Sequence, residues 1–261
     1  MQSNAVFCDI MRVELIAVTP FPLVKQGDDI GSLILDALES MGISLEEDDA
    51  VVVASTIVSK AEGTFIDLTT VTPSERARTL SSTTGKDPRL CEAILRASKR
   101  ILKVGPGPII AETHHGFICA SAGIDTSNVA GNNDIVCTLP EDPDRSARTI
   151  RATLEETFDT RVAVIVSDTQ GRPFRIGALG VSVGLSGIDP VWRYKGEKDL
   201  YGYTLNASVI ARADEVAAAA DLVMGQSNEG IPVVIVRGAR YRRSDDPATT
   251  YIRDVQNDLF R

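Results

Sequence analysis

Histidine is nearly absent from this chain of 261 residues, which holds only His114 and His115, and these are neighbours. A helical HExxH zinc site and any spaced histidine cluster are thereby excluded. A catalytic triad would have to rest on this one pair, and no GxSxG elbow accompanies it. The ordinary reading of the pair is two polar residues at a strand end or turn. The four cysteines, Cys8, Cys91, Cys119 and Cys137, include no CxxC, which removes zinc ribbons and thioredoxin-type chemistry. Scattered cysteines without a leader suit reduced thiols, so the expected location is the cytoplasm. No apolar run approaches the roughly 18 residues of a membrane span. Residues 1–10 lack a basic segment followed by an apolar one and are read as an N-terminal extension rather than a signal peptide. GxGxxG is missing. GxxxxGK[ST] is missing too, because Gly85-Lys86 is followed by Asp87 and Leu80 stands where the first glycine should be. A nucleotide bound here would use neither a Rossmann nor a Walker loop. With a formal charge of −9 the chain also lacks the basic footprint of a nucleic-acid or membrane binder. Anions would have to be held locally, by a few placed cations and backbone N–H groups.

What is present is a globular composition: 43% hydrophobic and 24% charged residues, enough apolar material for a real core. The length suits one large domain or two modest ones. Alternation over 12–18 predicts a strand, and apolar spacing over 29–41, stopped by Gly42, predicts a helix. Residues 50–54 are a short β-branched run and read as a buried strand. Thr72-Pro73-Ser74-Glu75 reads as a capping box with proline at the first helical position, and Asp87-Pro88 opens another helix to Ala97. Strands are predicted over 100–104, 109–113 and 117–120, around Gly105-Pro106-Gly107-Pro108. A helix over 144–157, a strand over 161–167, a glycine-rich strand-like stretch over 171–187, an alanine-rich helix over 214–224 and a strand over 232–237 complete the chain. Strands and helices alternate irregularly, which predicts a mixed α/β or α+β architecture rather than a regular doubly wound sheet. Internal domain boundaries leave no compositional trace.

Four polar clusters sit at expected strand ends or glycine-flanked turns, where side chains project from a packed scaffold. Ser55-Thr56-Ile57-Val58-Ser59-Lys60 follows a buried strand; hydroxyls, early helical N–H groups and a lysine suit phosphate oxygens. Its bland alternative is a helix cap with a solvated lysine. Asp125, in Gly123-Ile124-Asp125-Thr126-Ser127-Asn128, supplies a hard oxygen suited to Mg²⁺ or Mn²⁺, or else closes an Asx-turn. Ser167-Asp168-Thr169-Gln170-Gly171-Arg172-Pro173-Phe174-Arg175 sets a metal-type ligand beside two guanidiniums, as a metal–phosphate site requires, or else is a turn with surface arginines. Met224-Gly225-Gln226-Ser227-Asn228-Glu229-Gly230-Ile231 lies between a helix and a strand, with more polar groups than a helix C-cap needs.

Taken in order, these clusters resemble the coenzyme F(420)-0:L-glutamate ligase family. Phe21-Pro22-Leu23-Val24-Lys25-Gln26-Gly27-Asp28-Asp29, Pro73-Ser74-Glu75-Arg76-Ala77 and Lys198-Asp199-Leu200-Tyr201-Gly202 also carry the resemblance, which runs from Met11 to about Arg237. The resemblance implies a two-lobed α+β fold of non-Rossmann, non-P-loop type over 11–261, working as an intertwined homodimer. It implies a GTP-dependent ligase that adds L-glutamate to coenzyme F(420)-0, then a second by a γ-linkage. Two divalent ions, Mg²⁺ or Mn²⁺, are implied, with a monovalent cation as a further candidate. Carried over by position, metal ligands fall on Asp125, Asp168, Thr169 and Gln226. Nucleotide contacts fall on Phe21, Pro22, Leu23, Val24, Ser55, Thr56, Lys60, Asn128 and the loop Met224, Gly225, Gln226, Ser227, Asn228, Glu229, Gly230 and Ile231. Asp125, Asp168 and Lys60 would carry the catalysis. Gln226 stands where the family often has glutamate, and a neutral amide oxygen is the weaker metal ligand. An acyl phosphate formed from GTP would make the substrate carboxylate electrophilic, chemistry that needs positioning and charge neutralisation rather than a triad. A metal-dependent phosphohydrolase and a non-catalytic nucleotide sensor are the competing classes.

Overall fold

The computed structural model describes residues 11–258, so the N-terminal extension and the last three residues lie outside it. In chain order the elements are β1 (Glu14–Ala17), α1 (Ile30–Met41), β2 (Ala50–Ala54), α2 (Ser55–Glu62), β3 (Phe65–Asp67), α3 (Glu75–Thr84), α4 (Pro88–Ala97), β4 (Ser98–Val104), β5 (Ile109–Thr113) and β6 (Ile118–Ala120). They continue with β7 (Ile135–Cys137), α5 (Pro143–Phe158), β8 (Ala163–Gly171), β9 (Ala178–Ser186), β10 (Trp192–Arg193), β11 (Val209–Ile210), α6 (Arg212–Met224) and β12 (Val233–Arg237). The main sheet has the order β1-β12-β2-β8-β9, and smaller sheets pair β4-β5-β6, β3-β7 and β10-β11. In the main sheet only β2 and β8 run parallel; the other pairs are antiparallel. This is the mixed α+β class read from the sequence.

Buried side chains form two clusters. The larger joins the main sheet to α1, α2, α5 and α6; the smaller gathers Leu68, Leu80, Cys91, Ile94, Ile109 and Val136 around α3, α4 and the β4-β5-β6 sheet. Val51, Val52, Val53, Val164, Ile165 and Val166 are fully buried, because β2 and β8 are central strands covered on both faces. In α1 the buried positions Ile30, Ile34, Ala37 and Leu38 follow the helical period. Burying each large aliphatic side chain of this kind contributes about 1.5–3 kcal/mol. Asp29 caps the helix by accepting from Ser32 N at 2.7 Å, and Gly42 closes it in the left-handed region.

Two local expectations change. Helix α3 is capped by Ser74, not Thr72, so Pro73 lies before the helix. The glutamate that answers the cap comes from the next helix: Ser74 N donates to Glu92 Oε2 at 2.9 Å. And β8 does not stop at Ser167. It runs to Gly171, because the antiparallel partner β9 pairs residues 168–171 after the last β2 pair, Ala54 with Ser167. The stretch read as a turn is therefore a two-stranded extension of the sheet.

Strand β9 carries an extra residue. Val166 pairs with Gly184 but Ser167 pairs with Ser182, leaving Val183 bulged. The bulge reverses which face each position presents. Gly180 and Ser182 meet α6: a Cβ on Gly180 would lie 2.8 Å from Ala217 O, and Ser182 Oγ donates to Asp214 Oδ1 at 2.6 Å. Beyond it, Gly184 and Ser186 meet α5, at Pro143 and Arg151. A Cβ on Gly184 would overlap the Pro143 backbone, so Gly184→Ala is expected to destabilise the fold by about 1–3 kcal/mol. Equilibrium denaturation checks this; unchanged stability would mean α5 is free to retreat.

Candidate functional site

The parallel pairing of β2 and β8 brings two sequence clusters together. Helix α2 starts at Ser55 with no loop after β2, beside the point where β8 runs on alone. Its N-cap is Ala54, which makes no side-chain capping bond, whereas Asp29, Ser74, Asp87 and Asp142 cap α1, α3, α4 and α5. The first N–H groups of α2 thus have no capping side chain, and the helix dipole points its positive end at the same spot.

Side chains from four segments converge there. Ser55 Oγ donates to Asp168 Oδ1 at 3.5 Å, and Thr56 Oγ1 donates to Asp125 Oδ2 at 2.5 Å. Lys60, one turn after Thr56, donates to the carbonyl of Asn128 at 3.3 Å. Asn128, in the left-handed region, donates from Nδ2 to Ser227 O at 3.0 Å, tying the third cluster to the loop after α6. Asp125 is itself fixed by a backbone bridge to Cys137 in β7. Loop 21–28 lies over the far end of α2, where Gly27 N donates to Ala61 O at 2.9 Å. In that loop Val24 is buried and Phe21 half-buried against the main core, while Pro22 and Leu23 are exposed. Beyond α6, Met224 is buried, Gly225 closes the helix, and Ile231 rests on the core. Gln226, Ser227, Asn228, Glu229 and Gly230 are exposed. Glu229 accepts from Ser227 N at 2.7 Å and is held below the usual carboxylate range, first by that bond and then by neighbouring backbone N–H groups.

Neither Asp125 nor Asp168 makes an ion pair among the described residues. Asp168 is buried, and burial first, then the charge of Asp125, pushes its carboxyl up to about 6. Burial also raises Asp125, against the Thr56 hydroxyl that stabilises its charge. The neighbouring thiols follow the same physics: burial, with Asp168 beside Cys119 and Asp125 beside Cys137, pushes both up to about 12. They are protonated bystanders rather than nucleophiles. Two carboxylates without a counter-cation, flanked by hydroxyls, form a hard oxygen donor set that fits Mg²⁺ or Mn²⁺. No group of three or more His, Cys, Asp and Glu among the described residues is placed to hold a metal. A Mg²⁺ ion here would have these two carboxylates and would need substrate phosphates to complete its shell.

The four expected metal ligands are arranged as two pairs. Successive side chains of a strand point to opposite faces. Asp168 faces α2 with Asp125, and Thr169 faces α6, where its Oγ1 accepts from Gln226 Nε2 at 3.0 Å. Gln170 shares the Asp168 face and donates to Asp168 Oδ2 at 2.9 Å. Reading 168–171 as strand would have singled out this i, i+2 partner. Asp221, in the last turn of α6, accepts from Gln226 Nε2 at 2.6 Å and had no sequence signal, since it falls inside an alanine-rich helix. The two arginines are not beside Asp168. Arg172 and Arg175 lie on the exposed tip joining β8 to β9, and four residues of extended chain place Arg172 roughly 13 Å along the strand. His114 and His115 sit in the turn between β5 and β6, each bonded to a backbone carbonyl, as the ordinary reading has it.

The raised pKa of Asp168 has a stability consequence. Its folded value lies above the unfolded value of about 3.9, so the ionised side chain destabilises the metal-free fold. The penalty is absent below about pH 4, grows to about pH 6 and is complete above it. Asp168→Asn is therefore expected to raise the melting temperature of metal-free protein at pH 8, with a gain that vanishes towards pH 4. Thermal unfolding across that range checks it; a variant less stable than wild type at pH 8 would show the carboxylate to be structurally required.

Comparison with known proteins bears on this geometry. The family described as F420-0:Gamma-glutamyl ligase matches residues 19–238. The chain is 51% identical over 253 residues to the coenzyme F420:L-glutamate ligase of Methanothermobacter thermautotrophicus, covering 96% of this chain and 100% of that one. It is 46% identical to the ligase of the same name from Methanopyrus kandleri, covering 94% and 98%, and 44% identical to that of Methanocaldococcus jannaschii, covering 96% and 97%. All four polar clusters and every element from α1 to β12 fall inside the matched region, so the chain belongs to the F420-0:γ-glutamyl ligase family.

Proposed function

We propose that this protein is a GTP- and divalent-metal-dependent ligase that adds L-glutamate to coenzyme F(420)-0, one residue and then a second through a γ-linkage. The observation that carries the reading is the meeting of Asp125 and Asp168, two carboxylates with no ion-pair partner among the described residues, with the uncapped start of α2. An acidic chain that binds a triphosphate needs such a place, where a cation and backbone N–H groups offset the charge. In this reading Asp125 and Asp168 hold one ion, with Thr169 and Gln226 offering oxygens for a second. When bound, divalent ions held there would neutralise charge on the transferring phosphoryl group. Ser55, Thr56 and Lys60 grip phosphate oxygens, and Asn128 with the 224–231 loop holds the rest of the nucleotide. The substrate carboxylate attacks the γ-phosphorus and GDP leaves. The glutamate amine then attacks the acyl carbon of the resulting acyl phosphate, loses a proton and expels phosphate. No protein nucleophile is needed.

Incubation with GTP, Mn²⁺ or Mg²⁺, L-glutamate and coenzyme F(420)-0 tests this by product mass. Mono- and diglutamylated products with stoichiometric GDP are expected. GTP hydrolysis that ignores glutamate and coenzyme would point to a phosphohydrolase, and binding without turnover to a sensor.

Lys60 makes no ion pair among the described residues and is parked on the Asn128 carbonyl. Lys60→Ala should weaken GTP about tenfold or more while leaving glutamate affinity near wild type, since only phosphates lose a positive partner. Lys60→Arg should restore part of the loss, because a planar fork replaces a compact point charge. Apparent affinities for both substrates decide it; equal, near-native values would remove the lysine from the site.

The same reading makes the protein a homodimer. Its support is the apolar surface on two projections: Phe174 and Ile176 on the β8–β9 tip, 89% and 103% exposed, and Leu200 and Tyr201 between β10 and β11, 99% and 96% exposed. Sedimentation of wild type as a dimer, and of Ile176→Asp with Leu200→Asp as a monomer, is the expected result. A monomeric wild type would refute it.

A further inference from the structure

Asp221 is a carboxylate in an unfavourable place. It sits in the last turn of α6, where the helix dipole presents its negative end, and it makes no ion pair among the described residues. What it does have is the amide of Gln226, whose Nε2 donates to Asp221 Oδ1 at 2.6 Å and to Thr169 Oγ1 at 3.0 Å. The approach of α6 to β9 makes the contact possible. Gly180 is the registered partner of Thr169, and a Cβ there would lie 2.8 Å from Ala217 O and 3.2 Å from Asp221 Cβ. Any larger residue would push the helix, and Asp221 with it, away from Thr169.

An ionised carboxylate only accepts hydrogen bonds, so only the nitrogen end of the Gln226 amide can face it. The carbonyl oxygen is thereby turned away from Asp221 and left free to act as a donor atom. A hydrogen bond from Nε2 to a full negative charge also draws electron density onto that oxygen, the way outer partners raise the basicity of metal-bound histidines. We propose that Asp221 is a positioning residue that fixes and polarises the Gln226 amide, so that its oxygen serves the divalent cation on the Thr169 side. The inference rests on the metal dependence proposed above. It reverses the sequence-based ranking of residue 226. Glutamine is the suited residue because its nitrogen answers Asp221, whereas glutamate would set one carboxylate against another.

Mn²⁺ binding, read by electron paramagnetic resonance and calorimetry on the full chain with GTP present and glutamate and coenzyme absent, tests this apart from turnover. Asp221→Leu should weaken Mn²⁺ at the affected site by about tenfold, within the range seen when outer partners of metal ligands are removed. Asp221→Asn keeps an acceptor of the same shape and should lose less, at an unchanged melting temperature, which guards against a folding defect in the leucine variant. Gln226→Glu should also weaken Mn²⁺, and Asp221→Asn added to it should recover binding, because the asparagine amide then donates to the glutamate. In a Gln226→Ala background, Asp221→Leu should change nothing further. An equal loss with and without Gln226, or Mn²⁺ affinity unchanged in both Asp221 variants, would overturn the positioning role. Absence of Mn²⁺ binding by the wild type would instead overturn the metal dependence beneath it.

Discussion

The parallel ladder between β2 and β8 is the constraint on which the site depends. Its register ends at Ala54 and Ser167. The next residue on one strand begins a helix and the next on the other is Asp168. A shift of one residue in this pairing would turn Asp168 away from Ser55 and present Thr169 in its place, since strand side chains alternate. The register is held by fully buried valines on both strands and by Ile165, so the geometry of a polar site is set by apolar packing behind it.

The charge economy follows from that placement. A chain with a net charge of −9 puts two of its acids where they repel, one of them buried, and among the described residues no arginine or lysine pairs with them. Basic residues are available nearby in sequence, but Arg172 and Arg175 are carried out on the hairpin tip, and Lys60 is held on a carbonyl. The buried Asp49 is treated differently: Arg237 bonds both of its oxygens. The contrast between Asp49, held by a guanidinium, and Asp168, held only by neutral donors, separates an acid that stabilises the fold from one that burdens it.

Much of this was legible in the sequence. Helix α1 announced itself by Asp29, an apolar face and Gly42, and α4 by Asp87-Pro88, because caps and glycine stops act locally. The short strands β3 and β7 were not, since three residues carry no periodicity and exist only through each other. The length of β8 was also hidden: its apolar run ends near Ser167, and what extends the strand is β9, a partner some ten residues away in sequence. The site was legible as four separate clusters. Gln170 was obscured by the misread strand, and Asp221 by its helix, because hydrogen bonds between distant segments leave no mark on either one.

The bulge at Val183 sets the limits of change in β9. On one side of it the strand has surrendered its side chain at Gly180 to α6, on the other at Gly184 to α5. Absorbing Val183 into a regular ladder, with no residue removed, would shift Gly184 from Val166 to Ile165 and turn Gly184 and Ser186 towards the wrong helix. The single extra residue is thus what lets one strand serve two helices on opposite faces of the sheet.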